Sequence, residues 1–271
     1  MQMRKVGSAR VLALSDGRLI FDPAQQFPGM PIELFAAHGG IENGRWVAPL
    51  TTYVVTIGGK TVVIDTGLGP ALGRFSGETG ALPAALRLAE VDLARVDAVV
   101  LTHLHPDHIG WNFTDSPAGP RLTFPNARYV VSRTEWEFWQ DSPAGSIAAS
   151  ARPLAATGQL DLVDDGHEPA PGVRLLATSG HTPGHMSVLL YDAGEGAVIS
   201  GDALYNPAQL EQPQWSSASD SDPKLAARSR ASLAERIADE GLVVLGGHFP
   251  PPQAGRLLRV GQRRVYQPLA G

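Results

Sequence analysis

The stretch Leu101-Thr-His-Leu-His-Pro-Asp-His-Ile-Gly110 constrains this chain more than any other. It places His103, His105, Asp107 and His108 within six residues, directly after the apolar run Ala98–Leu101. That run reads as a buried strand, and Pro106 stops it from continuing. His103 and His105 leave the strand end two residues apart and so point the same way, while Asp107 and His108 fall on a turn or a first helical turn. A lone surface histidine would carry no information. Three imidazoles and a carboxylate this close form an N/O donor set suited to a borderline divalent metal.

Further donors occupy comparable positions. His181-Thr-Pro-Gly-His185 lies between the strand-like runs Val173–Ala177 and Ser187–Tyr191, Gly201-Asp202 follows Ala197–Ser200, and Gly247-His248 follows Leu242–Leu245. Each alone is as readily structural as functional; their common place just beyond a strand argues for them together. The β-branched runs Arg10–Leu14, Thr52–Ile57, Thr61–Asp65 and Arg128–Val131 also read as strands, with Gly58-Gly59 supplying a tight hairpin turn. Helical patterns cover Leu82–Glu90, Ser132–Gln140 and a longer segment opened by Asp222-Pro223. In the second, Ser132 and Glu135 have the spacing of a capping box. In the third, a cap and a first-turn proline precede Leu225, Ala226, Leu233 and Ile237. Together these give mixed sheets covered by helices, in one domain spanning 1–271 with no repeat or linker. Residues 21–49 fit no period and carry Phe21, Phe27, Met30, Phe35 and Trp46, so they read as core packing or a pocket wall.

Composition narrows the classes. A hydrophobic content of 43% against 18% charged residues excludes disorder, and a net charge of −5 without a basic tail argues against nucleic-acid binding. The absence of cysteine removes disulfides, thiolate nucleophiles and cysteine-type zinc sites. No apolar run approaches a membrane span or a secretory signal, so the expectation is a cytoplasmic protein with no membrane partner.

Taken in order, the HxHxDH of 103–108, the HTPGH of 181–185, the GD of 201–202 and the GH of 247–248 resemble the metal motifs of the metallo-β-lactamase superfamily. Val63-Ile-Asp-Thr-Gly-Leu-Gly69 looks like the same family's early strand and turn, and the likeness covers almost the whole chain. It implies an α/β (α+β) αββα sandwich with metals in a groove at one edge of both sheets. It further implies His103, His105 and His185 on one metal, Asp107, His108 and His248 on a second, and Asp202 bridging both. His181 would be a loop residue or a support to the ligands, not a ligand itself, left over with His38 and His167. Asp65 would accept a proton from a ligand histidine and fix its tautomer. Asp107 would double as a proton acceptor or donor in the reaction. Two divalent ions are implied, zinc first, with manganese, cobalt or iron also suited to these ligands. Against their four positive charges, Asp107, Asp202 and a hydroxide leave about one, enough to polarise a carbonyl or phosphoryl oxygen.

Within that family, exclusion guides the choice of reaction. Only 23 residues follow His248, too few for the helical domain of glyoxalase II relatives. Flavodiiron proteins carry a carboxylate where this chain has His105, secreted β-lactamases lack the bridging aspartate, and nucleases would want basic surface. What remains resembles N-acyl-homoserine lactonases and methyl parathion hydrolase-like enzymes. Tyr205, three residues after Asp202, resembles the lactonase tyrosine that hydrogen-bonds the substrate carbonyl, and equally reads as a packing aromatic. Gly247-His-Phe-Pro-Pro251 and Phe124-Pro-Asn-Ala-Arg128 look more like the second group. Phe27, Trp46, Trp111 and Trp215 would suit an apolar substrate, and each is also a reasonable core residue. The expectation is a lactonase acting on an apolar-tailed lactone, with an organophosphate or aryl-ester hydrolase as the alternative. A non-catalytic metal-binding sensor is the reading from another class. The apolar loops suit a homodimer contact as well as a pocket.

Overall fold

The β-branched runs become the strands of two mixed sheets in the computed structural model, which describes residues 1–70 and 75–270. The first sheet runs, in spatial order, Gln2–Val6, Ala9–Phe21, Arg45–Ile57, Lys60–Ile64, Ala98–Leu101, Arg128–Ser132 and Leu160–Val163, with Ile41–Glu42 and Ser76–Glu78 paired at its side. The second runs Val173–Ala177, Met186–Asp192, Glu195–Ile199, Val243–Leu245, Ala254–Val260 and Arg263–Pro268.

Alternation along the strands produces the layers. Val62, Ile64 and Val100 pack inward against Leu175, Val188, Leu190 and Ile199 of the second sheet. Their neighbours Val63, Val99 and Leu101 face outward and are covered by Leu82, Leu86, Trp136 and Leu154. The outer face of the second sheet, Leu189, Val198 and Val244, is covered by Leu233, Ala234 and Ile237 of the helix Pro223–Glu240. This is the helix–sheet–sheet–helix order that the resemblance implied. Asp222 caps that helix by accepting from Leu225 N–H, Pro223 opens it, and Gly241 ends it in the left-handed region at φ 63°. Among the described residues no helix is long and apolar enough to cross a membrane.

Strand direction positions the site. Lys60–Ile64, Ala98–Leu101, Arg128–Ser132 and Leu160–Val163 are mutually parallel, so their carboxyl ends share one edge of the sheet. Glu195–Ile199 and Val243–Leu245 are likewise parallel. Asp65, the 102–108 segment, Asp202 and His248 all follow such ends, where sheets of this kind leave a crevice.

Several expectations change. The capping box at Ser132 does not form: Ser132 makes no cap bond to the helix Arg133–Trp139, and Glu135 is fully buried, accepting from Leu104 N–H and Gly184 N–H, both at 3.0 Å. The aperiodic stretch 21–49 contains two short helices, Pro23–Gln26 and Ile32–Ala36, and Trp46 belongs to a long strand. The hairpin Ala254–Val260/Arg263–Pro268 was not read, because its arginines and glutamine hide the alternation.

Trp111 has a structural task. Its indole N–H donates to Asp16 Oδ1 at 2.8 Å, and it is not among the residues lining the cavity described below. The buried Asp16 carboxylate also receives Leu68 N–H, Gly69 N–H, Thr79 Oγ1–H and Leu82 N–H at 2.9–3.1 Å, tying the turn after Asp65 to the next helix. Removing it would orphan buried donors on several segments at once. Asp16→Ala should therefore cost roughly 3–5 kcal/mol, read from the urea midpoint, whereas a loss below about 1 kcal/mol would contradict this bracing role.

Candidate metal centre

Seven side chains meet at the strand ends in two donor clusters. His103, His105, His181 and Asp202 form one, and Asp107, His108 and His248 the other; within each, one donor atom per residue lies within 4.8 Å of all the rest. Asp202 stands between them. Its Oδ2 is 3.8 Å from His103 Nε2 and 3.5 Å from His181 Nε2, and its Oδ1 is 3.2 Å from His108 Nε2 and 3.1 Å from His248 Nε2.

The outer ring nitrogens of four of these histidines, His103, His108, His181 and His248, face acceptors. Thr102 Oγ1 gives its proton to Asp65 Oδ2 at 2.9 Å, so it accepts from His103 Nδ1–H at 3.1 Å. His108 Nδ1–H donates to Asp65 Oδ2 at 2.7 Å, His248 Nδ1–H to the Pro49 carbonyl at 2.7 Å, and His181 Nδ1–H to Asp220 Oδ1 at 3.2 Å. In the neutral forms of these four rings the proton therefore sits outside and the Nε2 lone pair points in, while His105 turns its Nδ1 toward the cluster. Asp65 holds its place with a left-handed backbone, φ 58°, secured by Thr102 N–H on its Oδ1 at 2.8 Å.

The lone pairs end up facing one another. His181 Nε2 is 3.2 Å from His103 Nε2 and 2.9 Å from His105 Nδ1, and the buried His108 Nε2 and His248 Nε2 both crowd Asp202 Oδ1. Acceptors this close repel unless positive charge lies among them. The field agrees: burial pulls His108 and His248 down, yet Asp202 with the other nearby carboxylates outweighs it and holds both above the ordinary imidazole value. Burial, reinforced by the neighbouring imidazoles, pushes His103 down and His105 to about 3, keeping both neutral as metal ligands must be. The residues present fit divalent cations.

His185 does not join the cluster, which corrects its expected place on the first metal. Its Nε2 accepts Asp202 N–H at 3.0 Å and its Nδ1 faces Thr178 Oγ1 at 2.8 Å, so no lone pair is spare. It directly precedes the strand Met186–Asp192, whereas His181 lies four residues earlier on the same loop. That position was the available signal in the sequence. Asp220 was not read as part of the site, because nothing local marks it as the partner of a ring 39 positions away.

A cavity of about 320 Å³ opens over the centre. It is lined by Leu19, Phe21, Trp46, Ala48 and Phe75 on the apolar side and by His105, Asp107, Asp202, Tyr205 and His248 on the polar side. Trp46 thus lies where a substrate-contacting residue was expected. Phe27 packs behind the wall, edge-on to Trp46 and Tyr205, and Trp215 borders a separate surface hollow. Tyr205 stacks on His248 at 5.5 Å, and its hydroxyl is 3.2 Å from His181 Nδ1. Burial first, then Asp202, Asp220 and Asp107, hold the phenol well above its ordinary value, so it stays a proton donor.

Comparison with known proteins gives a family and a fold. A family model described as the metallo-beta-lactamase superfamily matches residues 46–248. An N-acyl homoserine lactonase from a Bacillus species is 32% identical over 151 residues, which is 55% of this chain and 54% of that protein. The chain spans about half the length of the curated lactonases it matches. Among solved structures, the hydrolase AbOPH of the beta lactamase superfamily superposes with a TM-score of 0.86 at 25% identity, over 99% of this chain and 97% of that one. AidC, a dizinc quorum-quenching lactonase, superposes at 0.82 over 100% and 97%, with 21% identity, a likeness of fold.

The seat of Asp202 is testable. Gly201 has φ 52°, and a Cβ there would lie 2.7 Å from His185 Nε2. Gly201→Ala should lower stability by roughly 1–3 kcal/mol in a denaturant titration, and an unchanged midpoint would contradict this close approach.

Proposed function

The chain belongs to the metallo-β-lactamase superfamily, and from that premise we propose that it is a dinuclear metal-dependent hydrolase whose substrate is a lactone with an apolar tail. The supporting observation is the paired donor cluster with Asp202 between its halves. His103, His105, His181 and Asp202 would hold one cation, and Asp107, His108 and His248, with the other Asp202 oxygen, the second. Two divalent cations, zinc by the donor set and manganese, cobalt or iron as compatible choices, would supply Lewis acidity and lower the pKa of water toward neutrality.

The chain's own groups do the rest. Asp65 keeps the His108 proton on Nδ1. Asp107, partly exposed on the cavity wall, is placed to take a proton or return it to a leaving alkoxide. Tyr205 O–H donates to a substrate carbonyl oxygen as negative charge develops on it. The wall of Leu19, Phe21, Trp46, Ala48 and Phe75 takes an apolar tail and excludes water. The lactonase relatives support a lactone as substrate. An aryl ester or aryl phosphotriester is the second reading, favoured by the aromatic residues of the same wall.

The test is proton release from acyl-homoserine lactones, dihydrocoumarin, aryl esters and aryl phosphotriesters. Lactone turnover should disappear after chelation and return with zinc; turnover indifferent to chelator would contradict the metal centre, and turnover of phosphotriesters alone would select the second reading. His181→Ala should cost about one bound metal per chain by elemental analysis, while His185→Ala should retain both sets of ligands. Tyr205→Phe should slow lactone hydrolysis on the order of 10-fold with metal content unchanged, and an unaltered rate would return Tyr205 to packing.

A further inference from the structure

We propose that Asp220, anchored by Arg230, is the positioning residue that fixes which nitrogen of His181 carries its proton and so keeps Nε2 open to a cation. This rests on the metal-centre reading above. The Asp220 and Arg230 side chains are fully buried and paired, Nη1 to Oδ2 at 3.2 Å. Arg230 reaches inward from the helix Pro223–Glu240, and its other two nitrogens are engaged as well: Nε on the Pro213 carbonyl at 3.0 Å and Nη2 on Ser216 Oγ at 2.7 Å. A buried pair of this kind contributes little net stability over apolar packing, so its value must be sought in what it orients.

Asp220 faces His181 on one side and donors on the other. Its Oδ2 receives Arg230 and Ser217 N–H at 3.1 Å, and its Oδ1 lies 3.2 Å from His181 Nδ1. The next residue holds the backbone of the same histidine: Ser221 N–H and Oγ–H both donate to the His181 carbonyl at 2.9 Å. A carboxylate only accepts, so Nδ1 must carry a proton, and in the neutral ring, the form a metal ligand takes, Nε2 then faces His103 and His105 as a lone pair. The other polar atom near Nδ1, Tyr205 Oη at 3.2 Å, can donate or accept and so does not choose between the two forms.

An amide at position 220 reverses this choice without changing volume. Arg230 and Ser217 N–H can only donate, so the oxygen of an asparagine stays with them and its NH₂ turns to His181. Nδ1 must then accept, the proton moves to Nε2, and an N–H points into the donor cluster.

The experiment compares wild type, Asp220→Asn and Arg230→Lys by zinc competition against a chromophoric chelator, and by long-range ¹H–¹⁵N spectra of the metal-free proteins. Asp220→Asn should weaken one zinc site roughly 10–100-fold, leave the other, and move the His181 proton from Nδ1 to Nε2. Arg230→Lys keeps a charged partner and should leave that proton on Nδ1. Wild-type zinc affinity in Asp220→Asn would overturn the proposal, as would weakened zinc binding with the proton still on Nδ1. A wild-type protein that takes up no zinc would instead sink the metal-centre reading, and the spectra would still decide the role of Asp220.

Discussion

Imidazole lone pairs turned toward one another, with their protons held on the outside, are the costly arrangement around which this protein is organised. Acceptors such as His103 Nε2 and His181 Nε2 at 3.2 Å repel in a buried site, and neither ring can turn without breaking its outer hydrogen bond. Asp65, Thr102, Asp220 and the Pro49 carbonyl impose the orientation, and the centre is left deficient in positive charge. A cation would relieve the repulsion, which would make the donor set and its surrounding acceptors one unit.

The sheets make this arrangement possible at modest local strain. Parallel strand ends bring Asp65 and the 102–108 segment to one edge of the first sheet, and Asp202 and His248 follow parallel strands of the second. The inter-sheet core fixes the distance between these edges, and Tyr53 O–H reaches across to the Gly246 carbonyl at 2.9 Å, next to the loop that carries His248. The aromatic wall then packs onto the centre, with Trp46 edge-on to both Tyr205 and His248. The donor cluster and the cavity therefore share side chains.

Legibility in the sequence followed locality. The 103–108 segment was readable because its donors are near neighbours, and the inner strands because β-branched runs ended by glycine, proline or aspartate have few other uses. Choosing between His181 and His185 was not a local matter: both lie on one loop, and the strand beginning at Met186 and the amide of Asp202 decide which ring is spent. Glu135 looked like a helix cap, yet its buried carboxylate spans the His103 and His181 loops because their amides need an acceptor there. Trp111 looked like a pocket residue until Asp16, far away in the chain, claimed its indole. Buried polar pairings at long range were what periodicity and spacing could not reveal.

The most direct measurement is an anomalous-difference map from crystals grown with zinc. The account predicts two peaks, one among His103, His105, His181 and Asp202 and one among Asp107, His108, His248 and Asp202, with His185 touching neither. A single peak, or a peak coordinated by His185 in place of His181, would contradict it.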